Sequence, residues 1–368
     1  MELPAPTEDA RAHSALVAER VRREIAAGAG WISFARYLEL VLYEPGLGYY
    51  AGGSAKLGAP GDFATAPEMG TLFARTLARQ VAELLQPGEA ILEFGAGSGA
   101  LAAALITSLN PDNYLILETS GELRARQEAR LGTRARWLER LPEKFRGVMI
   151  ANEVADAMPV HALAWRAHGV MERGVSEIGG ELAWAERPAS GELLAAARRL
   201  EVPVPYQSEI GLVGRAWTRL LAARLERGAL LVIDYGFPQR EYYHPQRTTG
   251  SLMCHYRRRA HGDVFFHPGL QDITAHVDFT ALARAAREGG LEVLGYANQA
   301  QFLVNCGITE VLASADAADV SRYAPRAAEA HRLLSPAEMG ELFKVLAVGR
   351  GVSPPLLGFA RGDRSHTL

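Results

Sequence analysis

Cysteine is almost missing from this chain. Only Cys254 and Cys306 occur among 368 residues, 52 positions apart and with no C-x-x-C pair, which excludes a disulfide framework and a cysteine zinc site. So little cysteine fits a reducing, cytoplasmic compartment. An excess of one charge is missing too: 39 Lys and Arg stand against 42 Asp and Glu, a net −3 with a pI near 6.4. No global field therefore draws the chain to nucleic acid or to an anionic membrane. Long apolar runs are also absent. The most apolar window, residues 91–105, is interrupted by Glu93 and three glycines and is too short to span a bilayer. The N-terminal stretch "MELPAPTEDARAHSALVAER" has no apolar core and carries acids, which argues against a secretory signal and a transit peptide.

What is present is an ordinary globular composition, 48% hydrophobic and 22% charged. Residues 8–27 set Leu16, Val17, Val21 and Ile25 at helical spacing and stop before Gly28; 31–43 predict a second helix and 70–85 a third. A Pro/Gly-rich stretch from 44 to 70 is too long for a plain connector, which points to a functional loop. Short apolar runs follow at 90–94, 113–118, 135–139, 147–152 and 228–234, with helical patterns in the first three gaps. A helix at 278–290, a strand at 291–297, helical sequence to about 342 and a last strand at 343–349 complete the series. This is the rhythm of an α/β, doubly wound parallel sheet, whose strand carboxyl ends share one edge where ligands bind.

The rhythm breaks twice. Apolar/polar alternation around Gly-Gly within 160–227 predicts an inserted antiparallel hairpin, and 238–272 is a second insertion rich in His, Tyr, Arg and Pro. The chain thus divides into an N-terminal helical cap with its loop (1–88), a core (89–159 with 228–237 and 273–350) and two substrate-facing insertions (160–227 and 238–272).

The chemistry starts at "ILEFGAGSGALAAAL". Gly95, Gly97 and Ala100 satisfy the dinucleotide fingerprint, and a strand that ends in glycines before a helix brings backbone N–H groups close to many ligands. Glu93, two residues ahead, would face a pyrophosphate if NAD lay there, and like charges oppose each other. A carboxylate suits the cationic amino acid and sulfonium of S-adenosylmethionine (SAM) instead. Gly99 completes the G-x-G-x-G form usual in class I methyltransferases. Glu118, at the next strand end, is placed to accept ribose hydroxyl bonds from either cofactor. A dehydrogenase and a noncatalytic assembly protein on the same fold stay open.

At the fourth strand end, "ANEVADAMPVH" offers Asn152 and Glu153, with Asp156 at i+3 on the same face if the segment is helical. "EFGAGSG", "LILETSGELRARQ", "NEVADAMPVH", "GDFATAPEMG" and "GLQDITAHVDF", in one chain, resemble the MidA-like family of SAM-dependent methyltransferases over roughly residues 15 to 350. The resemblance implies a class I (Rossmann-like) fold, a seven-stranded sheet with its last strand antiparallel, an N-terminal cap and an inserted substrate subdomain. It also implies SAM on Glu93, Gly95, Gly97, Gly99 and Glu118, and Asn152 and Glu153 beside the transferable methyl. Mitochondrial members of that family assemble complex I and dimethylate an arginine of a core subunit, so the implied partner is a protein presenting an arginine. Val154 and Ala155 depart from the family's commoner leucine pattern and remain apolar.

Methyl transfer from a sulfonium is mostly positioning of an in-line nucleophile. A guanidinium acceptor stays protonated, so carboxylates must orient it and balance its charge. Glu153 leads the candidates, followed by Asp156 and Glu68. "GDFATAPEMG", glycine-bounded, with Asp62 and Phe63, reads as a lid closing over SAM. Tyr235, past the fifth strand, and His276 are expected against the substrate. Five histidines between 244 and 276 lack metal-ligand spacing, and no metal is expected.

Overall fold

The computed structural model of the protein describes residues 3–51, 65–314 and 319–368. Asp62, Phe63 and the rest of residues 61–64 of the expected lid lie outside the described residues.

The central sheet is built from β1 (Ala90–Phe94), β2 (Asn113–Leu117), β3 (Arg136–Leu138), β4 (Phe145–Asn152), β5 (Leu225–Phe237), β6 (Glu292–Asn298) and β7 (Phe343–Arg350). Their spatial order is β3-β2-β1-β4-β5-β7-β6, with β7 antiparallel to both neighbours and the first five parallel. This is the seven-stranded class I methyltransferase arrangement; the two-residue strand Val277–Asp278 extends it beside the end of β5.

Near-continuous apolar sequence in β4 and β5 reflects burial on both faces. The strand alternation divides these residues between two cores. Ile91, Val148, Ile150, Leu231 and Val345 pack on one side beneath α4 (Leu72–Leu84) and α5 (Ala100–Leu109). Leu92, Met149, Leu230, Val232 and Leu346 pack on the other beneath α7 (Leu212–Arg224) and α8 (Phe279–Glu288). Each such side chain contributes about 1.5–3 kcal/mol by leaving water.

The expected hairpin is present and larger than its sequence signal. Gly169–Ile178 and Glu181–Pro188 pair around Gly179 and Gly180, and His161–Arg166 and Tyr206–Ile210 extend the same antiparallel sheet. Ile32–Ser33 joins it from the N-terminal side, pairing with Val175 and Gly174. The helix expected over 31–43 therefore starts only at α2 (Phe34–Leu38), capped by the Ser33 hydroxyl, and ends in a π turn, Glu39–Tyr43. The competing force is tertiary: Ile32 is buried, and the Trp31 indole donates to the Ala185 carbonyl at 3.1 Å.

In the second insertion Met253–Tyr256 pairs with Arg259–His261 and Asp272–Thr274. Val17 and Val21 of α1 (Glu8–Ala27), Tyr37, Val175, Cys254 and Ile273 share one apolar cluster, so cap and insertions pack as a unit.

Candidate functional site

Beyond the end of β1 the backbone turns through Gly95, Gly97 and Gly99 at φ of 57°, 55° and 78°. Three left-handed positions in five residues are cheap only for glycine. Gly99 is the N-cap of α5, where it turns the chain and does not touch the cavity in front of the loop. That cavity is about 560 Å³, within the range of cofactor sites. Its wall brings together Glu93, Gly95, Gly97, Glu118, Asn152 and Glu153, from the ends of three neighbouring strands, and Glu68 from α3 (Ala66–Met69).

Glu93 is buried and accepts the Tyr114 hydroxyl at 2.5 Å. Burial pushes its carboxyl up to about 7; the Tyr114 bond opposes the rise and the Glu118 charge adds to it. Tyr114 escaped the sequence reading because the contact depends on register. Glu93 lies opposite Ile116, and Tyr114 is the diagonal neighbour on that face.

Glu118 takes the Ser120 backbone N–H at 2.9 Å on one oxygen and the Gln127 amide at 2.9 Å on the other. Gln127, fully buried on α6 (Gly121–Leu131), also donates to the Gly97 carbonyl at 2.9 Å and accepts the Trp137 indole N–H at 2.9 Å. It ties the glycine loop to the acid on the next strand. The only sequence signal was its place at the end of "LETSGELRARQ". Glu68 accepts from the Ser98 hydroxyl, which Arg130 reaches at 2.7 Å.

Past β4 the structure corrects one expectation. Residues 153–160 form turns, not a helix, and Glu153 has φ of +54°. Its N–H bonds the Ile233 carbonyl at 2.9 Å, so the backbone leaves β4 still tied to β5. Asp156 therefore does not share a helical face with Glu153; it is buried behind the wall. The Glu153 carboxyl lies on the wall, held by the Asn152 amide and the Ala66 N–H. Burial, then the nearby Asp156 charge, raises it to about 8.

Tyr235 and His276, expected against the substrate, also lie off the cavity wall. The Tyr235 ring meets those of His276 and Phe343 edge-on at 5.5 and 5.4 Å. Aromatic side chains of the cavity wall come instead from the N-terminal cap. Tyr43, Tyr49 and Tyr50 pack together, Tyr43 on Tyr50 at 5.4 Å and Tyr49 on Tyr50 at 5.1 Å. Trp217 of α7 closes another side against Phe94.

Among the described residues no group of three or more His, Cys, Asp or Glu could hold a metal, and no helix is long and apolar enough to cross a membrane.

Comparison with known proteins places this geometry. The family model described as "Putative S-adenosyl-L-methionine-dependent methyltransferase" matches residues 72–297. The crystal structure of a Burkholderia thailandensis protein bound to S-adenosyl-homocysteine is 51% identical over all of both chains, with a TM-score of 0.96. A native structure from the same organism is 50% identical with a TM-score of 0.94, again over both whole chains. The mitochondrial protein arginine methyltransferase NDUFAF7 of Rattus norvegicus is 28% identical over 87% of this chain and 81% of its own length. The Homo sapiens protein of that name is 27% identical over 87% and 80%.

Proposed function

The chain belongs to the family of S-adenosyl-L-methionine-dependent methyltransferases, and on that premise we propose that its acceptor is an arginine side chain of a protein. The cofactor is SAM, and the site fits it. A buried carboxyl at Glu93 suits a cation, the left-handed Gly95 and Gly97 clear the approach, and Gln127 and the Ser120 N–H hold the two oxygens of Glu118 at the next strand end. When bound, the cofactor supplies an electrophilic methyl on a sulfonium. Glu93, Gly95, Gly97 and Glu118 would hold it, with Gly99 setting the loop and Asp62 and Phe63 covering it.

One observation carries the arginine reading. Glu153 is half-buried on the cavity wall, and the charged groups that act most on it are other acids, Asp156 and Asp272. A carboxyl held near 8 by such surroundings ionises when a cation arrives. A guanidinium always brings that charge, its planar fork matches a carboxylate, and its faces suit the rings of Tyr43 and Tyr50. Glu153 and Asn152 would orient one guanidinium nitrogen toward the methyl, with Glu68 between the two halves of the cavity. Catalysis then comes chiefly from position.

The arginine activity named for the mitochondrial relatives supports this reading, and the resemblance to the MidA-like family extends it to a subunit of the respiratory complex I type. The reduced, buried Cys254 and Cys306 suit a cytoplasmic setting. We further take the N-terminal cap and the two insertions as the acceptor side of the site.

The test is incubation with methyl-labelled SAM and an extract from cells lacking this protein, followed by residue-level mapping. Label on arginine is expected. Label on lysine, RNA or a small molecule, with none on arginine, overturns the proposal.

A further inference from the structure

A second cavity, of about 190 Å³, lies between the short helix Gly191–Ala197 of the first insertion, α7 and α8. It shares no residue with the SAM cavity, although α7 lines both, with Val213 and Trp217 toward SAM and Arg215 and Arg219 toward the second. Helical spacing builds its wall. On α8 the wall residues Ala281, Arg284, Ala285 and Glu288 fall at i, i+3, i+4 and i+7, which is one helix face. The alanines leave space that larger side chains would fill. Glu192 and Arg199 of the insertion complete the charged lining.

The charges on that wall do not balance. Arg219 bonds Glu288 at 3.2 Å and reaches Glu192 at 3.7 Å, so one arginine takes both wall acids. Arg199, Arg215 and Arg284 make no ion pair or side-chain hydrogen bond among the described residues, and Arg215 Nε is buried without an acceptor. Asp278, off the wall, feels Arg215 and Arg284 as charges but gives neither a hydrogen bond; its Oδ1 takes the Ala281 N–H at 3.0 Å as the cap of α8. Arg215 and Arg219 also stand one turn apart, where like charges repel. A buried donor without an acceptor is costly, and an anion in the cavity relieves both penalties. We propose that this cavity is a second binding site, which takes the phosphate group of a small soluble phosphate monoester. Three unpaired guanidiniums from three segments match the three terminal oxygens of such an ester, whereas a carboxylate offers two. Cofactor cavities span about 300–1,000 Å³, so this smaller one holds a phosphate with a short organic group and not a nucleotide. The SAM cavity is no rival for the anion: its wall has six glutamates and, among the described residues, no Lys, Arg or His.

The site is independent of the acceptor reading, and calorimetric titration of the full chain tests it. Methyl phosphate is the probe, at pH 8, where the ester is a dianion, with saturating SAM and constant ionic strength. One-to-one binding is expected, tighter than that of acetate by about tenfold or more. Arg215→Gln and Arg284→Gln should each raise the Kd by about tenfold or more, the effect of losing one bond between charged groups. Arg198→Gln, an exposed neighbour off the wall, should leave it within about twofold. Thermal stabilisation by SAM confirms that each variant is folded, and Arg284→Gln, at an exposed position, decides if Arg215→Gln is not. No saturable binding, equal affinity for acetate, or an unchanged Kd in Arg284→Gln overturns the site. Binding to a single-stranded oligonucleotide or to phosphatidic acid vesicles, with none to methyl phosphate, overturns it as well.

Discussion

Replacing Glu93 with glutamine is expected to stabilise the ligand-free protein and weaken its hold on SAM. The amide keeps the shape and can still accept the Tyr114 hydroxyl, so the change removes only the ability to ionise. In the folded protein Glu93 titrates near 7, above its ordinary 4.5. Its contribution to stability is therefore complete below pH 4.5 and is lost as the pH rises through about 7. The loss reaches about 3 kcal/mol above pH 8, taking about 1.4 kcal/mol per pH unit as the conversion. Spread over the unfolding entropy of 368 residues, that is a Tm higher by about 4 °C in the variant at pH 8, with no difference at pH 4.5. SAM binding should move the other way. A cation paired with Glu93 requires the ionised form, so wild-type affinity should rise up to about tenfold per pH unit between 5 and 7 and then level off. Loss of a bond to a charged group costs about 1.5–3 kcal/mol, roughly 10- to 100-fold in Kd at pH 8 for the variant. Calorimetric unfolding and titration with SAM at pH 5, 6, 7 and 8 measure both. S-adenosyl-homocysteine, which keeps the ammonium but lacks the sulfonium, tells which cation Glu93 meets. Wild-type affinity and pH profile in the glutamine variant would refute the pairing.

Other changes bear on separate parts of the molecule. Glu153→Gln should lower labelled methyl incorporation by about 100-fold or more with SAM affinity within about threefold, and equal rates would sink its assignment. Gln127→Ala removes the tie between Glu118 and the Gly97 carbonyl, and a SAM Kd raised by about tenfold or more, read by titration, is the expected result. Asp62→Ala with Phe63→Ala should weaken SAM if the loop covers it; an unchanged Kd argues against a lid. Leu77→Ala, on the buried face of α4, should cost about 2–5 kcal/mol, seen as a lower urea midpoint at constant slope.

Much of the sheet was readable in advance because its information is local. The run 90–94 is the strand Ala90–Phe94, and the last strand predicted at 343–349 ends one residue later, at Arg350. Burial on both faces leaves apolar runs no other state to adopt, and glycines or prolines mark their ends. The part of the cavity wall that holds Glu93, Gly95 and Gly97 was legible for a similar reason: these residues are neighbours in the chain. The part beside Asn152 and Glu153 was misread where partners are distant. The segment from Glu153 to Asp156 carries a plausible helical spacing, yet Asp234, 78 positions from Asp156, takes its N–H and holds it in a turn. Tyr235 was expected at the substrate because it follows a strand end, but its ring packs edge-on against His276 and Phe343, off the cavity wall. Tyr43 reaches the cavity only because the N-terminal cap packs against the insertions.

The sequence by itself determined most of the strands and helices and the glycine loop that lines the cavity, since backbone preference and apolar period act over a few residues. The tertiary structure alone decided the register that sets Tyr114 on Glu93, the side chain that ties Glu118 to the glycine loop, and the backbone donors that Asp234 gathers behind Glu153. Each of those depends on donors and low dielectric supplied by segments far apart in the chain, and they meet only once the core has closed.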